Sequence, residues 1–300
     1  MQYNYKDTLS LPKTHWIETE HYGLIGKPLR KSTSSLMQNT NFAAMGMNAA
    51  YYPIEVEESE LPIVMPAFLH MGYRGLNVTM PLKKAVIPYL DGLDEIGGLC
   101  GAVNTIAVRD GKMIGTNTDS TGFIHSLKEQ GDYDPASRSC ILFGAGGAGR
   151  GVAFGLVKAG IGSLTLVDIP KSKELLDTLV GELNSYKTGV AKGLLHGTGE
   201  AVPALREAEL VVNATSVGMA PGVDGVICDT ELLTESQMVC DVVYVPHRTR
   251  LLELAARKGC RTLEGVWMQL WQGVDAFRFW TGMEPNVEVM KEVILKSVQG

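Results

Sequence analysis

No apolar run in the 300 residues approaches the roughly 20 needed to cross a bilayer as a helix. Basic charge is also short: 27 Lys and Arg stand against 33 Asp and Glu, for a net charge of −6. The electropositive footprint that sequence-independent nucleic-acid binding requires is missing. Cysteine is sparse, and Cys100, Cys140, Cys228, Cys240 and Cys260 form no CxxC pair. That argues against a disulfide framework or a zinc site and fits reduced thiols in a cytoplasmic protein. The six histidines show no HExxH or other metal-ligand spacing, so no metal is expected. Neither a GxxxxGK[ST] loop nor a GxSxG elbow occurs, which leaves ATP hydrolysis and serine-hydrolase chemistry unsupported. Residues 1–22 show no cationic segment leading into an apolar one. They are read as a polar extension and not a secretory leader.

What is present is an ordinary core-forming composition, 45% hydrophobic and 20% charged, with glycine high at 34 residues. The length allows about two domains. Tyr22–Ile25, Ala50–Val56 and Gly75–Val78 read as strands. Ser34–Met47, Ser59–Met71 and Pro81–Leu90 read as helices, the first with Ser35 and Gln38 at capping-box spacing. Ala102–Val108 and Met113–Gly115 form an expected hairpin around Asp110-Gly111. Strands alternating with helices imply an α/β fold with a largely parallel, covered sheet. From about Thr121 a second unit repeats the rhythm. Its strands are Cys140–Phe143, Leu164–Val167, Leu210–Asn213 and Val239–Val243. Its helices are Arg150–Ala159, closed by Gly160, and Leu175–Leu183, with a last helix at Met268–Phe279. This is a Rossmann-type βαβαβ pattern.

Gly144-Ala145-Gly146-Gly147-Ala148-Gly149 satisfies GxGxxG, and it follows a strand and opens a helix, as dinucleotide binding requires. The first glycine makes the turn, the second admits a pyrophosphate and the third lets helix and strand pack closely. Asp168 stands 24 positions after Gly144, at the end of the next strand. An acid there accepts from the adenosine ribose 2′-OH and repels a 2′-phosphate, which predicts NAD over NADP. Lys171 and Lys173 follow it and are read as solvated charges.

Three polar patterns precede this unit: Asn77-Val-Thr79-Met-Pro81-Leu-Lys83-Lys84, Gly101-Ala-Val-Asn104-Thr and Asn117-Thr118-Asp119-Ser-Thr-Gly122. Asn213-Ala-Thr215-Ser-Val-Gly218-Met219, Asp241-Val-Val-Tyr244-Val-Pro246 and Gln272-Gly273 follow it. In this order, from about Gly23 to Gly282, the chain resembles the shikimate/quinate dehydrogenase family. The resemblance implies two α/β domains with a cleft between them. Residues 1–120 would bind substrate, residues 121–267 would form the Rossmann domain, and residues 268–300 would return to the first. It implies reversible hydride transfer between NAD, with NADP possible, and shikimate/3-dehydroshikimate, quinate/3-dehydroquinate or both. Ser32, Ser34 and Gln272 would hold the carboxylate, and Asn77, Thr79, Asn104 and Asp119 the ring hydroxyls. Lys83 would assist proton transfer with Asp119, Tyr244 would line the pocket, and Thr215, Met219 and Gly265 would contact the cofactor. A homodimer is implied by analogy alone.

Each of these residues also has a plainer physical reading. Pro81 suits N1 of a helix, which puts Lys83 in a first turn whose dipole disfavours a cation and favours loss of its proton. Otherwise Lys83 is a solvated lysine, and Lys84 is the fallback. Asp119 could simply cap the helix near Thr121, and Ser35 the helix after Lys31-Ser32-Thr33-Ser34. Asn104 and Asn77 could belong to an internal hydrogen-bond network, and Thr79 could bond local backbone. Two departures from the family pattern stand out. Lys31 and Ser35 replace the His and Pro of His-Ser-x-Ser-Pro, and Trp267 occupies Glu264-Gly-Val-Trp267-Met268 where a glycine is usual. They leave open a relative acting on another ring acid, such as an amino analogue. His247 is a further candidate for substrate contact. A non-catalytic sensor of NAD and a ligand is the alternative from another class, opposed by the intact Lys83/Asp119 pair.

Overall fold

The computed structural model describes residues 18–29 and 32–298. Lys31 and His15 lie outside them, as does residues 1–17 of the expected polar extension. The remainder of that extension is shorter than expected, because the first strand begins at Glu20. Contacts divide the chain into two units. One runs to Thr118 and resumes at Gly273; the other is Asp119–Gln272.

The first unit contains β1 (Glu20–Gly26), α1 (Thr33–Ala44), β2 (Ala49–Glu55), α2 (Leu61–His70), β3 (Tyr73–Val78) and β4 (Gly92–Leu93). It continues with α3 (Glu95–Cys100), β5 (Thr105–Arg109) and β6 (Lys112–Thr116). Its sheet order is β2-β1-β3-β5-β6-β4. The expected largely parallel sheet is mixed: β1 pairs parallel with β2 and β3, but β5 runs antiparallel to both β3 and β6. The antiparallel β5–β6 pair follows from the Asp110-Gly111 turn, whose two left-handed residues (φ 51° and 73°) fold the chain directly back. Side chains alternate across the sheet. Ile25 and Ile106 join one core with Leu61, Met65 and Leu82, while Tyr22, Leu24 and Ala107 join another with Phe42 and Tyr51. Both faces are therefore covered.

Two helix expectations need correction. Pro81–Leu90 forms turns ending in a single 3-10 turn at Ile87–Tyr89. Pro81 and Pro88 offer no N–H, and apart from Val86 to Leu82 the local bonds span three residues. Lys83 therefore stands in a turn and not in the first turn of a helix. The N-cap of α1 is Ser32, whose oxygen accepts the Ser34 N–H at 3.2 Å. Ser35 lies inside the helix, and Gln38 is buried with its Nε2 donating to the Gly273 carbonyl, so no capping box forms there.

The second unit begins in α4 (Thr118–Glu129) and continues through β7 (Ser139–Phe143), α5 (Gly147–Lys158), β8 (Ser163–Asp168) and α6 (Lys173–Tyr186). Then come β9 (Ala191–Leu195), α7 (Ala201–Glu207), β10 (Leu210–Asn213), β11 (Met238–Asp241), α8 (Arg250–Arg257) and β12 (Arg261–Leu263). Its sheet is wholly parallel, in the order β12-β11-β10-β7-β8-β9. This is the Rossmann-type topology expected. Helix α9 (Gly265–Thr281) starts three residues before the expected Met268 and runs on into the first unit, followed by α10 (Val287–Val298). On α6 the buried stripe is Leu176, Leu179 and Leu183, and Leu175 is exposed.

Both sheets close an edge by the same device. Asn39 of α1 gives and takes a hydrogen bond with the backbone of Tyr51 on β2, at 3.0 and 2.8 Å. Asn184 of α6 does the same to Ala191 on β9, at 2.8 and 2.9 Å. A carboxamide carries one donor and one acceptor at peptide-like spacing, so it substitutes for a missing neighbour strand.

Candidate active site

In the second unit, the chain leaves β7 at Phe143 and enters α5 through the glycine turn. Gly144 has φ +100°, and a Cβ there would meet Thr215 Cγ2 at 2.9 Å and the Ala214 carbonyl at 3.0 Å. At Gly149 a Cβ would lie 1.9 Å from the Gly144 oxygen. At Gly146 nothing lies within 4 Å. The outer glycines are demanded by packing, while the middle one opens onto free space. Gly146 is the N-cap of α5 and supplies no side-chain cap, and no acid stands in the first turn. Gly147 and Ala148 are half-exposed, Ala145 is buried, and the first-turn N–H groups have no intrahelical partners. An anion is favoured at such a helix start, so the turn fits the pyrophosphate of a dinucleotide. Asp168 reaches this turn: its Oδ2 accepts the Ala145 N–H and its Oδ1 the Ile169 N–H, both at 2.7 Å.

Beside the turn, the ends of β10 and β11 are joined by a buried network that the sequence did not reveal as such. Asn213 donates to Asp241 Oδ1 at 2.9 Å and accepts from Thr215 N and Oγ1 at 3.0 and 2.7 Å. Asp241 also accepts from Thr249 Oγ1 at 2.7 Å and from Val243 N at 3.0 Å. Burial pushes the Asp241 carboxyl up to about 6 despite these donors. This network fixes the loops carrying Thr215, half-buried, and Met219, exposed. It also anchors the segment carrying Tyr244, whose phenol burial pushes above its ordinary range. Gly265 opens α9 against the segment that follows β11, where a Cβ would lie 2.5 Å from the Val242 carbonyl.

Helix α4 carries Asp119 in its first turn, 8% exposed. The helix begins at Thr118 and not near Thr121, so Asp119 is a first-turn residue and not the N-cap. Two glycine crossings hold α4. A Cβ at Gly155 of α5 would lie 2.6 Å from the Ser120 carbonyl, and one at Gly122 would lie 2.5 Å from the Gln272 N. Gln272 is thereby packed one helical turn along from Asp119, its Nε2 donating to the Gln269 carbonyl at 3.0 Å. The indole N–H of Trp267 turns to Glu264 Oε2 at 3.3 Å, and that acid also pairs with Arg248. On the same helix Met268 and Leu270 are buried and Trp271 is half-buried. His247 is half-buried.

In the first unit, Asn77, Thr79, Lys83 and Asn104 are brought together by backbone pairing, while Ser32 and Ser34 stand at the start of α1. The Asn104 carbonyl accepts from Val78 N at 2.8 Å, the Lys83 carbonyl accepts from Val103 N at 2.7 Å, and Thr79 N donates to Ile25 O at 2.9 Å. Lys83 is half-buried and Lys84 exposed. The internal network considered for the two asparagines exists. Asn104 Oδ1 accepts from Thr118 N at 2.7 Å and from Thr105 Oγ1 at 3.1 Å. Asn77 donates to Thr105 Oγ1 at 3.0 Å and accepts from the Tyr51 hydroxyl at 2.8 Å. Tyr51, Thr105 and Thr118 were not singled out from the sequence. Tyr51 stands in an apolar β stretch where no spacing marks it, whereas Thr105 and Thr118 lie within the Asn104 and Asp119 motifs without a role assigned to them. Lys83 belongs to the first unit and Asp119 to the second.

Residues 24–106 match the model of the shikimate dehydrogenase substrate binding domain, and residues 265–295 that of the shikimate 5′-dehydrogenase C-terminal domain. The chain is 40% identical over 277 residues to a shikimate dehydrogenase (NADP(+)) of Moorella thermoacetica, covering 92% of each chain. It is similar to the crystal structure of shikimate 5-dehydrogenase from Listeria monocytogenes in complex with shikimate and NAD. There the identity is 36% and the TM-score 0.88, over 92% of this chain and 96% of that one. Quinate dehydrogenase from Corynebacterium glutamicum in complex with NAD gives 34% identity and a TM-score of 0.84, over 93% and 99%. With this identity along nearly its whole length, the chain belongs to the shikimate dehydrogenase family.

Proposed function

We propose that the chain is a dehydrogenase that moves hydride reversibly between a nicotinamide dinucleotide and a ring alcohol of shikimate, quinate or both. The observation that carries this reading is the buried array of hydroxyls and carboxamides in the first unit, Ser34, Tyr51, Asn77, Asn104, Thr105 and Thr118. Such a dense polar cluster has the chemistry of a polyhydroxy ligand, and it occurs in a chain of this family. The first unit would hold the acid and the second the dinucleotide.

The nicotinamide supplies the hydride acceptor or donor when bound. The chain's own residues bind, orient and move the proton. Ser32 accepts the Ser34 N–H and keeps its own hydroxyl proton to donate to the substrate carboxylate, and Ser34 and Gln272 share that role. Asn77, Thr79 and Asn104 hold ring hydroxyls. Lys83 takes the proton of the alcohol as it is oxidised and returns it in reduction, with Asp119 as the other member of the proton-transfer pair. Gly144, Ala145, Gly146, Gly147, Ala148 and Gly149 would hold the pyrophosphate of the dinucleotide, Thr215, Met219 and Gly265 would contact the cofactor, and Tyr244 would line the substrate pocket.

The dinucleotide we favour is NAD. The Asp168 carboxylate supports it, since a 2′-phosphate would meet like charge. The Moorella thermoacetica relative, by its name, uses NADP(+). Lys173 pairs with Asp177 within α6. The test is NADH or NADPH appearance with purified protein, crossing shikimate and quinate with NAD and NADP. Turnover with NAD and either acid is expected. Turnover with NADP alone overturns the cofactor choice. Silence in all four, with dinucleotide binding intact by calorimetry, overturns the substrate reading.

A further inference from the structure

We propose that Tyr51 is a positioning residue that locks the Asn77 carboxamide so that it faces a ligand as an acceptor only. The inference rests on the proposed substrate role of Asn77. Tyr51 is 2% exposed, and its backbone is clamped on both sides by Asn39. Its ring stands 6.0 Å from that of Trp280, centroid to centroid. Its hydroxyl donates to Asn77 Oδ1 at 2.8 Å and also bonds the Ser34 side chain. Burial holds the phenol far above its ordinary range, so the proton stays in place to be donated.

The other end of the amide is equally committed. Asn77 Nδ2 donates to the Asn104 carbonyl at 3.2 Å and to Thr105 Oγ1 at 3.0 Å. A main-chain carbonyl only accepts, so it dictates which end of the amide faces it, and a flipped amide would set two acceptors together. A carboxamide has two N–H donors and one oxygen with two lone pairs. Both donors are spent inside the protein, and Tyr51 takes one lone pair. One lone pair on Oδ1 remains. It can receive the O–H of a ring hydroxyl and cannot donate to a ketone oxygen. Tyr51 thus links the serine that would hold the acid group to the amide that would read a hydroxyl, without itself touching the ligand.

The test is a double-mutant cycle, Y51F and N77A singly and together, read as KM and kcat with the acid the wild type prefers, alongside Tm. Y51F is expected to raise KM about 5- to 20-fold with kcat within about twofold, and to add less than about twofold in the N77A background. An equal penalty in both backgrounds, or an unchanged KM, overturns the proposal. A general loosening of the fold would act in both backgrounds alike, so the cycle separates it from positioning. If the wild type turns over neither acid, the functional reading fails and the inference is judged by NMR of 15N-labelled wild-type protein. Slow exchange of both Asn77 Nδ2 protons is expected, and exchange at the rate of a solvent-exposed carboxamide overturns it. That second measurement also decides the matter if Y51F does not fold.

Discussion

The Asp168 carboxylate accepts the Ala145 N–H at 2.7 Å, tying the acid that ends β8 to the glycine turn that follows β7. One side chain thereby both shapes the turn and stands as the anion nearest to it in β8. Replacing it by asparagine keeps a carbonyl acceptor for Ala145 while removing the charge. D168N is expected to shift the ratio of kcat/KM for NAD over NADP toward NADP by about tenfold or more, about 1.4 kcal/mol. Steady-state kinetics with both cofactors checks it, and an unchanged ratio would mean that the charge plays no part in the choice.

Lys83 no longer has a helix dipole to argue for it, so its role rests on the proposed proton transfer. K83A is expected to lower kcat by roughly 10²- to 10⁴-fold while leaving dinucleotide affinity within about twofold. Turnover assays with calorimetric NAD titration decide it. A loss confined to KM would reassign Lys83 to substrate binding.

Asp241 carries a pH prediction with a definite sign. Its folded-state value of about 6 exceeds the ordinary 3.8, so the folded chain binds this proton more tightly than the unfolded chain. The associated stability is present in full below about pH 4 and is lost as pH rises through 6. The difference is worth at most about 3 kcal/mol. D241N, which needs no proton, is expected to lack this fall between pH 4.5 and 8 in urea unfolding. If the variant and the wild type change in parallel with pH, the burial argument is wrong.

Gly75 in β3 lies against Trp280, where a Cβ would fall 2.3 Å from the indole ring. The ring cannot retreat easily, because its Nε1 donates to the Ile106 carbonyl at 3.0 Å and its face packs on Tyr22. G75A is expected to destabilise by about 1–3 kcal/mol through overpacking. Chemical denaturation measures this, and a change under 0.5 kcal/mol would show that the indole has room to move.

Much of the architecture follows from local signals. The strand–glycine turn–helix of residues 139–158 was legible because the positive φ at Gly144 and the close approach of Gly149 to the Gly144 oxygen are local requirements. The Asp110-Gly111 hairpin was legible for the same reason, since positive φ at two adjacent positions is a local requirement. Misreadings came where distant groups compete with local ones. Pro81–Leu90 has helical apolar spacing, yet its proline N-terminus and the Lys83 carbonyl bond to Val103 hold it as turns. Ser35 has capping-box spacing, yet Gln38 is drawn away to Gly273, 235 residues along the chain.

What the sequence alone determined is the α/β class, the nucleotide turn and the family, because these depend on period, spacing and glycine placement. Tertiary structure alone decided which polar side chains meet. Tyr51, Asn77 and Thr105 are 26 and 28 residues apart along the chain. Asn213 and Asp241 are likewise 28 apart. A buried donor must find an acceptor, but the chain's linear order does not say which; strand pairing does, by bringing the ends of separate strands to one place.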